Sequence, residues 1–469
     1  MASPPPDVDL GKLSYEIFSL LESKFLFGAA AAAGAGSTPG TPARGGEDRG
    51  RVRVLAIDGC GPGPGDALLA AVALARLEAA LRERAGDPGA RVADFFDAAA
   101  GAGAGGVLAA MLFLKGEDGR ARYSAADALA FVAASLGRRQ SGWGGGGDGG
   151  GRRSRWAALL FRRGERSKSP LRRVFGDATL RDTVAPLLVP CYDLATAAPF
   201  LFSRADAVES DSFDFRLRDV CAATCAGGAA AAAVRSVDGR TAIAAASGGV
   251  AAMGNPAAAA ITHVLHNKQE FPLAAGVDDL LVVSIGSGSS AAAVAAAATP
   301  SAGWRTPIPP RSPSPAEMVR LTAEGVADMV DQAVAMAFGH TCGRNYVRIQ
   351  AAASPAAACG SGKKAVDAKK AVAAADGMLT QRNVEAELFR GRRLSEKSNR
   401  EKLDAFAAEL VKEHHRRARC AGLPNVVIKQ AATAATPRPS SATTASSATA
   451  TGRTASTMPS PASQGSYTH

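Results

Sequence analysis

Apolar positions along this chain fall into two rhythms. In RVRVLAID (51–58) Val52, Val54 and Ala56 alternate with other residues, and the run closes on DGCGPGPG, which predicts a strand meeting a turn. From about Asp66 to Arg84 the period changes to that of a helix, with Leu69, Val72, Leu74, Leu77 and Leu81 on one side. VADFFDAAA (92–100) predicts a second strand, GAGAGG (101–106) a sharp turn, and VLAAMLFLK (107–115) a helix, followed by a further helix over about 124–136. CYDLATAAPFLFSR (191–204) is strand-like, FDFRLRDVCAATCA (213–226) helical, and VDGRTAIAAA (237–246) a hairpin. A helix over 256–271, the apolar strand LLVVSIGSGS (280–289), a long helix over about 316–338, the strand YVRIQ (346–350) and an amphipathic helix over 395–418 complete the pattern.

Strands alternating with helices imply an α/β layered fold with a mostly parallel sheet flanked by helices. Ligands of such folds bind at the carboxyl ends of the strands. Three glycine-rich turns follow strands here, at 59–65, 101–106 and 286–288, and they are expected to converge on one edge. Residues 1–50 read as an amphipathic helix over 11–27 and a linker, with Leu13, Ile17, Leu20, Leu21, Phe25 and Leu26 on the apolar face of the helix. That face fits either docking on the main domain or a membrane surface. The main domain is expected over 51–430, with low-complexity insertions near 138–169, 290–315 and 351–376. A disordered Ser/Thr/Ala tail is expected over 431–469.

Composition narrows the classes. A chain of 469 residues with 47% hydrophobic residues is not wholly disordered, although 51 Gly and 26 Pro predict much loop. Seven scattered Cys do not form a disulfide framework, MASPPPDVDLGKL lacks the order of a secretory signal, and no run of about 20 large apolar residues is present. A reducing, cytoplasmic setting is expected, with peripheral encounters at membranes. The formal charge of +11 favours an anionic partner. With only 5% aromatic residues, the basic runs at 152–173 and 390–419 suit anionic lipid head groups or a solvated face better than nucleic acid.

The turns carry the candidate chemistry. Gly101, Gly103 and Gly106 match a dinucleotide fingerprint, but the second strand ending in an acid is missing; Glu117-Asp118-Gly119 falls in a turn instead. The same residues match a Gly-x-Ser-x-Gly nucleophile elbow whose centre is changed, with Gly101 and Gly105 as its flanks. The amides of Gly59, Cys60 and Gly61 fit an oxyanion hole, while Pro62 and Pro64 supply no N–H for a phosphate cradle. SGGVAAMGNP (247–256) ends in an ordinary helix start.

Taken in order, these three turns resemble the plant patatin family of lipid acyl hydrolases. That family's pattern is Asp-Gly-Gly-Gly-x-Arg-Gly, then Gly-x-Ser-x-Gly, then Asp-Gly-Gly/Ala with a trailing Asn-Pro. SYEIFSLLESKFLFG, CYDLATAAPFLFSRADA, DFRLRDVCAAT, AAAAITHVLHNKQEFP and LSEKSNREKLDAFAAELVKE extend the resemblance over roughly residues 11–428, to the third, divergent group of patatin-related phospholipase A proteins. The resemblance implies a patatin-like three-layer fold. It also implies that Gly103 stands in the place of the nucleophilic serine and Ser247 in that of the dyad aspartate. Neither does the original work: glycine has no side chain, and a hydroxyl is no base near neutral pH without help. Cys60 replaces a glycine of the first turn, and Gly63 its arginine.

Other reactive residues read as structural. Cys60 is expected to be a small packed thiol, and Ser247 has no evident His or carboxylate beside it in sequence. Asp238-Gly239 is turn chemistry, and Asp58 is expected to tie turn amides. His263 and His266, like Cys221 and Cys225, share a helix face without a third metal ligand in view. No metal and no cofactor is expected. The resemblance therefore implies a phospholipase A or galactolipase of weak or absent activity, acting on membrane phospholipid or galactolipid. The alternative is a non-catalytic protein that binds lipid at membrane surfaces.

Overall fold

The computed structural model describes residues 50–59, 67–137, 170–226, 232–246, 253–288, 315–353, 367–387, 391–419 and 426–428. The helix over 11–27, the linker to 49, the tail from 431, and Cys60, Gly61 and Ser247 lie outside the described residues.

In chain order the strands are β1 Val52–Ile57, β2 Ala98–Gly101, β3 Leu187–Asp193, β4 Ala198–Ser203, β5 Ala232–Arg235, β6 Ala242–Ala246, β7 Leu280–Ile285, β8 Tyr346–Ile349, β9 Arg382–Glu387 and β10 Gly391–Ser398. The helices are α1 Leu68–Ala85, α2 Gly103–Phe113, α3 Ala125–Gly137, α4 Pro170–Phe175, α5 Arg204–Glu209, α6 Leu217–Thr224, α7 Ala257–His266, α8 Pro315–Phe338, α9 Ala368–Thr380 and α10 Asn399–Arg419. Among the described residues the main sheet has eight strands in the order β5-β6-β3-β2-β1-β7-β8, with β4 also paired to β3. β3, β2, β1, β7 and β8 run parallel, whereas β4 and the β5–β6 hairpin are antiparallel.

β1 and β7 are buried at every position, as parallel strands covered on both faces must be. One face packs Leu55, Ile57, Val283 and Ile285 against α1, α2, α9 and α10. The other packs Val52, Val54, Leu280 and Val282 against α7 and α8. The result is three layers, as expected. α1 ends where Gly86 turns left-handed at φ 68°, which only glycine adopts without strain.

Several expectations change in detail. The first half of VADFFDAAA is a short 3-10 turn, Val92–Phe95, and only Ala98–Gly101 is strand. CYDLATAAPFLFSR folds back on itself, giving the end of β3 and all of β4. Residues 368–376, read as filler, form most of α9, whose Ala371, Ala375, Met378 and Leu379 are buried. The helix expected from 395 starts at Asn399, because 391–398 pairs with β9. Ser398 and Glu401 close that start reciprocally: the serine amide donates to the carboxylate at 2.7 Å, and the amide of Glu401 donates to the serine hydroxyl at 3.2 Å.

Candidate functional site

The sheet order reverses direction about β1, whose neighbours are β2 on one side and β7 on the other. Ile57 sits opposite Gly101 in β2 and Ile285 in β7, so the chain leaves all three strands at one level of one edge. The expected convergence of the turns is therefore observed at Asp58–Gly59, Ala102–Gly103 and Gly286–Gly288. This is the switch point at which α/β sheets take ligands.

Backbone touches backbone here. A Cβ on Gly59 would sit 1.8 Å from the Ala102 carbonyl oxygen, and one on Gly105 would sit 2.4 Å from that of Ile57. Gly101 and Gly105 crowd each other in the same way, at 2.4 Å. These glycines let the first turn of α2 press onto the end of β1.

Gly103 differs from the others. It opens α2 with φ at +51°, and a Cβ there would lie 2.7 Å from the Gly59 carbonyl oxygen. A side chain at this position would meet both backbone strain and a clash. The Gly103 amide donates to Thr224 Oγ1 at 2.8 Å, and Thr224 is fully buried at the end of α6. The Gly59 amide donates to the Gly254 carbonyl at 3.2 Å, which brings the segment before α7 to the same edge. The Gly59 amide, one of those expected to form the oxyanion hole, is thus engaged inside the protein. Cys60, Gly61 and Ser247 lie outside the described residues.

Beneath this edge lies an ionic cluster that sequence reasoning missed. Asp58 is buried, and Arg348 of β8 donates to both its oxygens, at 3.2 and 2.5 Å. Arg348 also donates to Ser284 Oγ at 2.6 Å and lies 3.8 Å from Asp331 of α8, which accepts from Tyr346 Oη at 2.6 Å. Asp58 thus has a buried arginine partner, while residues 60–66 of the turn whose amides it was expected to tie lie outside the described residues. Burial pushes the Asp58 carboxyl up against the pull of Arg348, while burial opposes and Asp58 and Asp331 outweigh it to hold the guanidinium charged. One signal was available: an arginine inside the apolar strand YVRI needs a buried acid.

The glycine turn at 286–288 is closed by Gln350, whose Oε1 accepts from the Gly288 amide at 2.9 Å. The remaining candidates behave structurally. Asp238 accepts from Ser212, Ser236 and the Arg240 amide within the hairpin turn. Burial pushes the Cys225 thiol up to about 12 and that of Cys221 well above its ordinary value, so neither is a thiolate near neutral pH. His263 packs beside Phe271 and 3.9 Å from Glu270, and burial lowers its pKa; His266 is exposed. Among the described residues no group of three or more potential ligands could hold a metal, and no helix is long and apolar enough to cross a membrane.

A mostly parallel central sheet flanked by helices, with a glycine elbow between β2 and α2, is consistent with a patatin-like fold. Residues 55–261 match the patatin-like phospholipase family, and the chain belongs to it. It is 54% identical over 414 residues to Patatin-like protein 3 of Oryza sativa subsp. japonica, covering 87% of this chain and 92% of that protein. Patatin-like protein 6 of Arabidopsis thaliana is 42% identical over 464 residues, 91% of this chain and 88% of that protein. A third relative, from Arabidopsis thaliana, is named Probable inactive patatin-like protein 9; it is 37% identical over 423 residues, 86% of this chain and 94% of that protein.

Proposed function

We propose that this member of the patatin-like phospholipase family binds lipid acyl esters at membrane surfaces and has lost the covalent route for cleaving them. The observation that carries this reading is the elbow. The residue at its centre is Gly103, which offers no acyl acceptor, and its amide is committed to Thr224. The Cβ position 2.7 Å from the Gly59 carbonyl leaves no room for a hydroxymethyl group without moving the first turn. Loss of a nucleophile from such a site costs on the order of a millionfold in turnover. The relative named as probably inactive is consistent with this reading.

In this account Gly103 and Ser247 occupy the nucleophile and base positions without their chemistry. The test is fatty-acid release from phosphatidylcholine and galactolipid vesicles by the purified chain, run beside vesicle sedimentation. Binding without release is expected. Release proportional to protein concentration would restore the weak-hydrolase reading.

A further inference from the structure

We infer that Ser395 of β10 is a phosphorylation site, read by a kinase that selects arginines two and three residues before the serine, and that Lys402 and Arg393 receive the phosphate. This goes beyond the lipid-binding reading and does not depend on it. The basic run over 390–419 supplies the pattern, Arg392-Arg393-Leu394-Ser395. Kinases select substrates by charge as well as by fit, and arginines ahead of the serine suit acidic kinase clefts. A kinase also needs the serine in an extended segment that it can reach. In β10, Arg393, Leu394, Glu396 and Lys397 are exposed and Ser395 is partly exposed. Pairing with β9 holds its register from Gly391 to Leu394 and shifts before Ser398, so Ser395 opens the irregular stretch between them. Ser398 has no arginine at either of the two positions, and its hydroxyl donates to Glu401 at 2.8 Å at the start of α10.

Cations that can receive a phosphate already surround the hydroxyl. Ser395 donates to the Glu385 carboxylate of β9, which also pairs with Lys402 of α10 at 2.6 Å and with Arg393 at 3.1 Å. Burial works against the Glu385 carboxylate, yet Lys402, Ser395 and Arg393 hold its carboxyl below the ordinary value. In the transfer, the Ser395 hydroxyl oxygen bonds to the γ-phosphorus of a nucleoside triphosphate. The bond from that phosphorus to the β–γ bridging oxygen breaks, the nucleoside diphosphate leaves, and the hydroxyl proton passes to the catalytic carboxylate of the kinase. The product carries a charge of about −1.5 to −2 beside Glu385. It ends the hydroxyl's hydrogen bond to Glu385, repels that carboxylate, and offers Lys402 and Arg393 a stronger anion. Lys402 then ties α10 to β10 in place of β9.

The experiment incubates the native full chain with ATP and the catalytic subunit of cyclic-AMP-dependent protein kinase, an arginine-directed kinase, and maps the phosphate by peptide mass spectrometry. Phosphate on Ser395 is expected, with Arg393→Gln slowing its incorporation at least about tenfold. Phosphorus NMR of the product is expected to place the second ionisation of the phosphoserine below its ordinary value of about 6. Lys402→Gln should move that ionisation upward by about half a pH unit, and Lys402→Arg should leave it in place. No phosphate on Ser395, or phosphate there only after the chain is unfolded by heat, overturns the site. Modification confined to Ser141, where Arg138-Arg139-Gln140 repeats the pattern outside the described residues, overturns it too. An unchanged rate in Arg393→Gln overturns the arginine reading, and equal titration in wild type and Lys402→Gln overturns the receiving role of Lys402.

Discussion

The two ends of the sheet hold their buried carboxylates differently. At the amino edge, Asp97 precedes β2 and is gripped by two arginines. Arg53 of β1 donates to it at 2.9 Å from the guanidinium and 2.8 Å from the backbone, and Arg417 of α10 donates to both its oxygens at 2.7 Å. At the carboxyl edge, Asp58 has one arginine, which it shares with Asp331. Burial raises both carboxyls, yet at Asp97 the two cations outweigh it and hold the group at about 2, whereas Asp58 stays above its ordinary value. The ratio of cations to acids decides the sign. The amino edge is a clamp joining β1, β2 and the last long helix. The carboxyl edge relies instead on glycine backbones in contact, and a family fold can persist there while its chemistry changes.

The contrast can be broken in order of size. Asp97→Ala strands Arg53 in a buried site, and chemical denaturation should show a loss of about 3–5 kcal/mol. A loss under about 1 kcal/mol would mean the clamp is not structural. Acid should act on the same group. Its folded-state pKa lies below the ordinary 3.8, so its stabilisation is complete above that value and fades as pH falls toward about 2, amounting to about 2 kcal/mol. Asp97→Asn should remove that slope from a pH series of unfolding free energies. At the other edge, Gly103→Ser should destabilise by about 1–3 kcal/mol, from the left-handed backbone and the crowded Gly59 carbonyl, and should release no fatty acid. A stable and active serine variant would show that the elbow is still built for a nucleophile. Thr224→Val should cost about 1 kcal/mol by leaving the Gly103 amide unpaired, measurable as a lowered Tm.

Much of the core was legible because its elements carry strong periodicity: β1, β7, α1 and α8 follow from spacing alone. The elements that escaped have weak patterns. Up to residue 376 the buried positions of α9 are alanines, Ala371 and Ala375, so that stretch resembled low-complexity sequence. β9 and β10 carry charged residues on a two-stranded surface ribbon, held by Lys402 to Glu385 and Arg392 to Asp328, and give no hydrophobic alternation. At the site, glycines 59, 101, 103 and 105 were legible because a tight turn between strand and helix needs them. Their partners were not. Thr224 and Gly254 arrive from distant segments through single hydrogen bonds and Arg348 through a buried ion pair, and such pairings leave no local motif.

The most direct test of the central claim is chemical trapping of an activated hydroxyl. The purified chain is incubated with a lipid-like fluorophosphonate, and its intact mass is followed. The account predicts an unmodified mass after prolonged exposure. A single stoichiometric adduct, mapped to a residue at the carboxyl edge of the sheet, would contradict it.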